Sequence, residues 1–263
     1  MLLTIDVGNT ETKLGCFSSA DLRYTWRVTT DLRRTPDEYG VFFTQLFATS
    51  GVEAGDIDAV AVASVVPKLD PVLESACKRF FGVEPAFLHP QTQPLIAVVT
   101  EYPSEVGADL VAAAIGARER FGAPLIVVSF GTATAFIAIS AAGEYLGVAI
   151  APGITISIDA LIGRTAKLPQ IAIEAPGRAI GRNTIEALQS GIVYGFAGQT
   201  EAIVSRMRAE LGVDAKVVAT GGLAEIVARH APVVDAVAPH LSLVGLQLFH
   251  DAARGPRRGR PDR

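Results

Sequence analysis

Apolar and polar positions follow two periods along the chain, and the switches between them divide it into elements. Leu2 to Val7 is an almost unbroken apolar run stopped by Gly8-Asn9, the pattern of a buried strand ending in a tight turn. Thr12 to Phe17 and Arg23 to Val28 predict two further strands, making a meander. Pro36 to Phe47 predicts a helix, because its PDEY opening places a proline and two acids where free backbone N–H groups favour negative charge. Ala59 to Val66 predicts a buried strand ended by Pro67, Leu69 to Phe81 a helix, and Ala86 to Leu88 a short strand.

Ser104 to Phe121 predicts a helix capped by Ser104, with a stripe of Val106, Leu110, Ala113, Ala114, Ala117 and Phe121, and Gly122 as its stop. The pattern then restarts. Leu125 to Val128, Phe136 to Ser140 and Glu144 to Ile150 predict strands, with FGTAT as the first turn. Thr155 to Thr165 and Asn183 to Leu211 predict helices, the second with Asn183 and Glu186 at capping-box spacing. Lys216 to Thr220 predicts a strand, broken by Gly221-Gly222 before a helix from Leu223 to Arg229. TIDVGNTET lies on VVSFGTATA with Asp6 on Ser129 and Gly8 on Gly131, at a constant offset of 123. The same order of elements follows each copy, which predicts a duplicated α/β chain with a cleft between its halves.

Composition narrows the function classes. With 263 residues, 49% of them hydrophobic, and a mean hydropathy of +0.36, the chain is globular and long enough for a sizeable core. No apolar run reaches the ~18 residues of a membrane span, and MLLTIDVGNT lacks the basic start of a signal peptide. Cys16 and Cys77 lie far apart without metal-type spacing, which fits buried thiols in a reducing, cytoplasmic compartment. Net charge is −4 although the end, Arg254 to Arg263, carries five Arg and one Asp. The body is therefore more acidic than the whole, which argues against a nucleic-acid partner, and the tail is expected to be disordered.

Candidate chemistry gathers at the turns. A strand ending in Asp-x-Gly-Asn-Thr brings a carboxylate and approachable backbone to one sheet edge. Asp6 is a candidate ligand for hydrated Mg²⁺, the ion that accompanies ATP. Val7, Gly8, Asn9, Thr10, Glu11 and Thr12 form the phosphate-facing turn, and Lys13 is placed to meet a phosphate as a point charge. Gly131-Thr132-Ala133-Thr134 makes an opposing turn, and Gly221-Gly222 a third close-approach site.

These ordered motifs resemble the acetate and sugar kinase, heat-shock-70 and actin superfamily, and within it the type III pantothenate kinases. The resemblance runs from Met1 to about Asp251 through IDVGNTETK, SVVP, EVGAD, FGTAT, IAPGI, TAKLP, IGRNT, QSGIVYG, ATGGLA and LSLVGL. It implies duplicated ribonuclease H-like (actin-like ATPase) domains with an interdomain cleft: residues 1–121 as one half, 122–253 as the other half with the dimerisation region, and 254–263 as the tail. The activity it implies is ATP-dependent phosphorylation of pantothenate, the first step toward coenzyme A, by a cytoplasmic homodimer. By the same resemblance Asp6 to Lys13 and Thr132 bind ATP. Gly107, Ala108, Asp109 and Leu110 bind pantothenate with Asp109 as general base. Tyr102 contacts the substrate, and Thr184 reaches the pantothenate of the neighbouring subunit.

Departures from the family pattern are concentrated near these turns. The family's Asp-Phe-Gly-Thr carries an Asp for a monovalent cation, K⁺ or NH₄⁺, where this chain has Ser129, so that site is expected to weaken or vanish. Leu110 stands where the family has Arg, and Ala135 where it has Thr. Glu11 adds negative charge beside the phosphate turn. Two other readings stay open at this point: a catalytically impaired homologue that binds nucleotide or regulates, and a kinase or phosphohydrolase of the same fold with a different small substrate.

Overall fold

The computed structural model describes residues 1–165 and 167–254. The expected tail begins at Arg254, but that residue closes the last helix; the rest of it, residues 255–263, lies outside the described residues. The chain divides into two compact units. One holds Met1–Ala97, Glu101–Gly116 and the last helix, and the other Val98–Thr100 and Ala117–His240.

The first unit is built on a five-stranded sheet in the order β3-β2-β1-β4-β5. Its strands are β1 (Leu2–Val7), β2 (Glu11–Ser18), β3 (Asp21–Thr29), β4 (Ala59–Ser64) and β5 (Pro85–Phe87). The first three run antiparallel as a meander, and β4 and β5 add in parallel. All of β1 is buried because both faces are covered. Leu3, Ile5 and Val7 pack with Tyr39, Phe43 and Phe47 of α1 (Pro36–Ala48) and with Leu73, Ala76 and Cys77 of α2 (Asp70–Phe81). Strand alternation therefore sends Leu2, Thr4 and Asp6 to the opposite face, where α7 (Leu241–Arg254) packs on β1, β2 and β4.

Helix α3 (Ala108–Phe121) begins later than the sequence pattern suggests. Pro103–Glu105 forms a single 3₁₀ turn and Val106 is extended, so Ser104 does not cap α3. The expected stripe is also corrected. Val111 to Ala117 are buried without a break, because this stretch of α3 is covered all round, whereas Leu110 and Phe121 are only half-buried. α7 crosses α3 at backbone contact: a Cβ on Gly245 would strike the Ala112 carbonyl, and one on Gly116 the Leu241 carbonyl.

The second unit has a sheet in the order β10-β9-β6-β7-β8, the same arrangement read from the other edge. Its strands are β6 (Leu125–Phe130), β7 (Ala133–Ile139), β8 (Tyr145–Pro152), β9 (Lys216–Gly221) and β10 (Ala236–Val237). Ile126, Val128 and Phe130 face a core shared with α4 (Ile154–Gly163), α5 (Thr184–Leu211) and α6 (Ala224–Ala228), so Ser129 points to the face that Asp6 takes in the first sheet. Asn183 caps α5, accepting from Glu186 N–H at 2.9 Å. The Glu186 carboxylate reaches one residue further than a capping box requires, accepting from Arg182 N–H at 3.0 Å.

Gln189, Ser190 and Tyr194 on one side of α5 hold the preceding strap by its carbonyls, donating to Ala172, Ala179 and Pro176 respectively. On its other side Gly191, Gly195 and Gly198 are exposed, and a Cβ on any of them would meet nothing within 4 Å. These glycines therefore serve no tight contact among the described residues.

Candidate active site

The first hairpin turn is a braced structure. Gly8 N–H donates to the Glu11 carbonyl at 3.0 Å, and a Cβ on Gly8 would sit 2.8 Å from that oxygen. Thr30, just past β3, grips the turn from the side: its hydroxyl donates to the Gly8 carbonyl at 2.7 Å and its N–H to the Thr10 carbonyl at 3.0 Å. The Thr12 hydroxyl completes the brace, 2.9 Å from that of Thr30. Asn9 and Thr10 are left exposed at the tip. Glu11 does not add the free negative charge that the sequence suggests, because Arg27 on β3 holds its carboxylate at 2.9 and 2.8 Å.

Asp6 lies behind this turn, 3% exposed. Its Oδ2 accepts from Lys13 Nζ at 3.2 Å across the β1–β2 pair and from the Ser242 hydroxyl of α7 at 2.6 Å. Asp6 foremost, with Asp109 and Glu11 adding, holds the Lys13 ammonium above its ordinary pKa despite partial burial, so it is charged at neutral pH.

Asp109 occupies the first turn of α3. Burial chiefly, and the charge of Asp6 next, push its carboxyl up to about 6. Leu110 N–H, which donates to Oδ1 at 2.9 Å, and the Lys13 charge pull the other way. Asp109 is thus no surface acid parked at a helix N-terminus. Gly107 makes its conformation available: a Cβ there would come within 2.5 Å of Asp109 Oδ1. Val65 of the SVVP segment flanks the same glycine. Tyr102, 63% exposed, precedes the 3₁₀ turn that leads into α3.

The first unit therefore gathers Asp6, Lys13, Asp109 and the Gly8–Glu11 turn into one electrostatic group. Sequence reading did not single out Ser242 or Thr30. Thr30 sits in VTTD after a strand without a pattern of its own, and Ser242 lies in LSLVGL, where only the helix packing discloses what its hydroxyl meets.

In the second unit, Ser129 and exposed Thr132 belong to the β6–β7 hairpin, and exposed Thr184 opens α5. Strand register corrects the constant offset. Asp6 pairs with Lys13 and Val7 with Thr12, whereas Ser129 pairs with Ala135 and Phe130 with Thr134. The second turn is one residue shorter, so Thr134 answers Thr12 and Ala135 answers Lys13. Gly153 and Gly221 close on this hairpin: a Cβ on Gly153 would strike the Gly131 and Thr132 carbonyls, and one on Gly221, which has φ +99°, the Phe130 carbonyl.

The donor sets can be tested against the expected ions. Mg²⁺ commonly takes one or two carboxylates and completes its shell with water and substrate phosphate. Asp6 fits that use: both of the bonds to its carboxylate fall on Oδ2, and no group of three or more His, Cys, Asp or Glu forms a ready-made cage among the described residues. A charged site for a monovalent cation does not fit at Ser129. Its register neighbours, Ala135 and Thr220, add one hydroxyl and no carboxylate.

Comparison with known proteins places this geometry. The family model for type III pantothenate kinase matches residues 2–206. The chain is 49% identical over 254 residues to the type III pantothenate kinase of Anaeromyxobacter sp. (strain Fw109-5), covering 97% of this chain and all of that one. It is 47% identical to type III pantothenate kinase 2 of Symbiobacterium thermophilum, covering 98% and 99%. The chain belongs to the type III pantothenate kinase family. Among solved structures, a conserved Baf-family protein of Campylobacter jejuni aligns with a TM-score of 0.60 at 17% identity, covering 97% of this chain and all of that one. The activator of 2-hydroxyisocaproyl-CoA dehydratase from Clostridium difficile aligns at 0.56 and 13%, covering 100% and 99%. These likenesses show a shared α/β fold, which here carries one five-stranded sheet in each of its two units. No helix among the described residues is long and apolar enough to cross a membrane.

Proposed function

We propose that the protein transfers the γ-phosphoryl group of ATP to the primary hydroxyl of pantothenate, giving 4′-phosphopantothenate and ADP, the first step toward coenzyme A. The observation that carries this reading is Asp109, a half-buried carboxylate beside the Asp6–Lys13 pair and the braced glycine turn. The pantothenate O–H bond breaks as its oxygen attacks the γ-phosphorus, Asp109 accepts the proton, and ADP leaves. A carboxyl held at about 6 is ionised at neutral pH and is a better base than an ordinary Asp. Lys13 supplies positive charge near the phosphates, and the Gly8–Glu11 turn offers them backbone N–H groups. Asp6 would hold Mg²⁺, which neutralises phosphate charge when it enters with the nucleotide. Gly107 to Leu110, with Tyr102, would receive pantothenate, and Leu110 would meet it with an apolar side chain. Thr132 would meet ATP from the second hairpin, across a cleft between duplicated ribonuclease H-like halves.

A homodimer is part of this reading. Thr184 is exposed at the start of α5, beside the open glycine face of that helix. Glycines three or four residues apart let two helix backbones approach closely, and Thr184 of each copy would then reach the other's pantothenate.

The absence of charge at Ser129 and Leu110, where the family pattern carries Asp and Arg, favours a second reading, a nucleotide-binding regulator without turnover. One assay separates the two. ADP release by the purified protein is followed with ATP, Mg²⁺ and pantothenate, with and without K⁺ or NH₄⁺. Pantothenate-dependent turnover at ~1–100 s⁻¹, indifferent to the monovalent ion, is expected. A folded protein that binds ATP and releases no ADP would overturn the kinase reading.

A further inference from the structure

Ser242 is brought to Asp6 from 236 positions along the chain. Its hydroxyl donates to Oδ2 at 2.6 Å, within the short range of a hydroxyl bonded to an ionised carboxylate. Both groups are buried, Ser242 at 8% exposure. Lys13 already supplies the opposite charge, so neutralising Asp6 does not by itself require the serine. What the serine adds is direction. It binds the same oxygen as Lys13, and two donors on one oxygen fix the rotation of the carboxylate.

The hydroxyl is itself held in place by backbone. α7 meets α3 at Gly245 and Gly116, where carbonyls leave no room for a Cβ, so α7 has little freedom to slide. Leu243, the neighbour of Ser242, fits over Gly15 of β2, where a Cβ would lie 3.1 Å from its Cδ1. The same α3 carries Asp109 at its start. One helix crossing thus sets the position of the Asp6 partner and of the proposed base.

We propose that Ser242 is a positioning residue: with Lys13 it ties up Oδ2 of Asp6, so that Oδ1, which takes part in neither bond, is the oxygen left to serve the Mg²⁺ of a Mg²⁺–nucleotide. This rests on the kinase reading for its purpose, while its test does not depend on turnover. A group that orients a metal-binding side chain from behind changes metal affinity or activity ~10–100-fold when removed.

The experiment titrates ADP calorimetrically into wild type, Ser242→Ala and Ser242→Thr, each with and without Mg²⁺, beside steady-state kinetics and thermal melts. Ser242→Ala is expected to weaken ADP binding ~10-fold in Mg²⁺ and less than about twofold without it. It should lower kcat more than it raises the KM for pantothenate. Ser242→Thr, which keeps the hydroxyl, restores the Mg²⁺-dependent part. Should the alanine variant not fold, Ser242→Cys, similar in size with only a weak donor, is expected to show the same metal-specific loss. An equal loss with and without Mg²⁺, no loss at all, or a folded threonine variant that does not recover would reduce Ser242 to a packing contact and overturn the proposal. Wild type that binds Mg²⁺–ADP but never phosphorylates pantothenate would sink the kinase reading alone, and the titrations would still decide the role of Ser242.

Discussion

Lys13 stands opposite Asp6 in the β1–β2 pair, its Nζ 3.2 Å from Oδ2, and the same two register positions of the second hairpin hold Ser129 and Ala135. The charges are absent there as a pair. Removing one partner of a buried ion pair leaves an uncompensated charge at a large cost, whereas replacing both is close to neutral. The absence at Ser129 is therefore compatible with an undisturbed fold. Lys13→Met should show the cost in the first unit. The Lys13 side chain is 34% exposed and Ser242 still serves Asp6, so a loss of about 1–3 kcal/mol is expected in denaturant melts. An unchanged midpoint would mean that the pair adds nothing to stability.

The pH profile should report Asp109. Its carboxyl is raised to about 6, so kcat/KM is expected to climb tenfold per pH step below that value and to level above it. Lys13 helps keep the carboxyl ionised. Lys13→Met should accordingly move the midpoint to higher pH, and a midpoint that stays put would remove Lys13 from the base's surroundings.

Asp109→Asn is expected to cost ~10²–10⁴-fold in kcat and to stabilise the protein at pH 8. The sign follows from the raised pKa. The folded state takes up a proton more readily than the unfolded chain, so the carboxylate works against folding as pH rises from the ordinary 3.8 through about 6. Removing that charge recovers up to ~3 kcal/mol above pH 6. Full activity in the variant would dismiss Asp109 as the base, and a lower melting point at pH 8 would contradict its buried ionisation.

Gly107→Ala separates geometry from fold. The added Cβ meets the tip of the Asp109 side chain, which can rotate away without disturbing the backbone. A displacement of about 1 Å at a reacting group costs on the order of 10²-fold, so kcat should fall by that order while the melting point stays within about 2 °C. Wild-type kcat in this variant would show that Asp109 does not act from the orientation seen here.

Gly195→Leu tests self-association. Nothing within 4 Å awaits a Cβ at this position, and leucine favours helix over glycine by about 0.8 kcal/mol. The single chain should fold as well as before, while sedimentation should change from dimer to monomer. A dimer that persists would place its interface away from the glycine face of α5.

Much of the fold is legible in the sequence because burial and period agree. Leu2–Val7, Ala59–Ser64 and Leu125–Phe130 are central strands whose apolar runs leave little choice, and Pro36 and Asn183 mark helix starts by their own chemistry. α7 was not legible. Gly245 interrupts its pattern, and that glycine is explained by a carbonyl of α3 supplied by tertiary packing. The start of α3 departs from its local pattern for a related reason: Ser104 has the chemistry of a cap, but Val106 is extended. At the site, IDVGNTETK and EVGAD disclose Asp6, Lys13 and Asp109. The hold of Ser242 on Asp6 spans nearly the whole chain and leaves no local trace.

The collar that Gly153 and Gly221 form around the second hairpin has a consequence for how this chain can vary. Backbone contacts, with the Thr134 hydroxyl donating to the Pro152 carbonyl at 3.3 Å, mould that turn, so its outline persists whichever side chains decorate positions 129 and 135. The first turn is welded together by its own hydroxyls and charges, and there a change of chemistry is also a change of shape. The protein thus has one turn whose shape depends on its own side chains and one that is a blank mount, on which side chains at positions 129 and 135 can change without refolding the lobe that carries them.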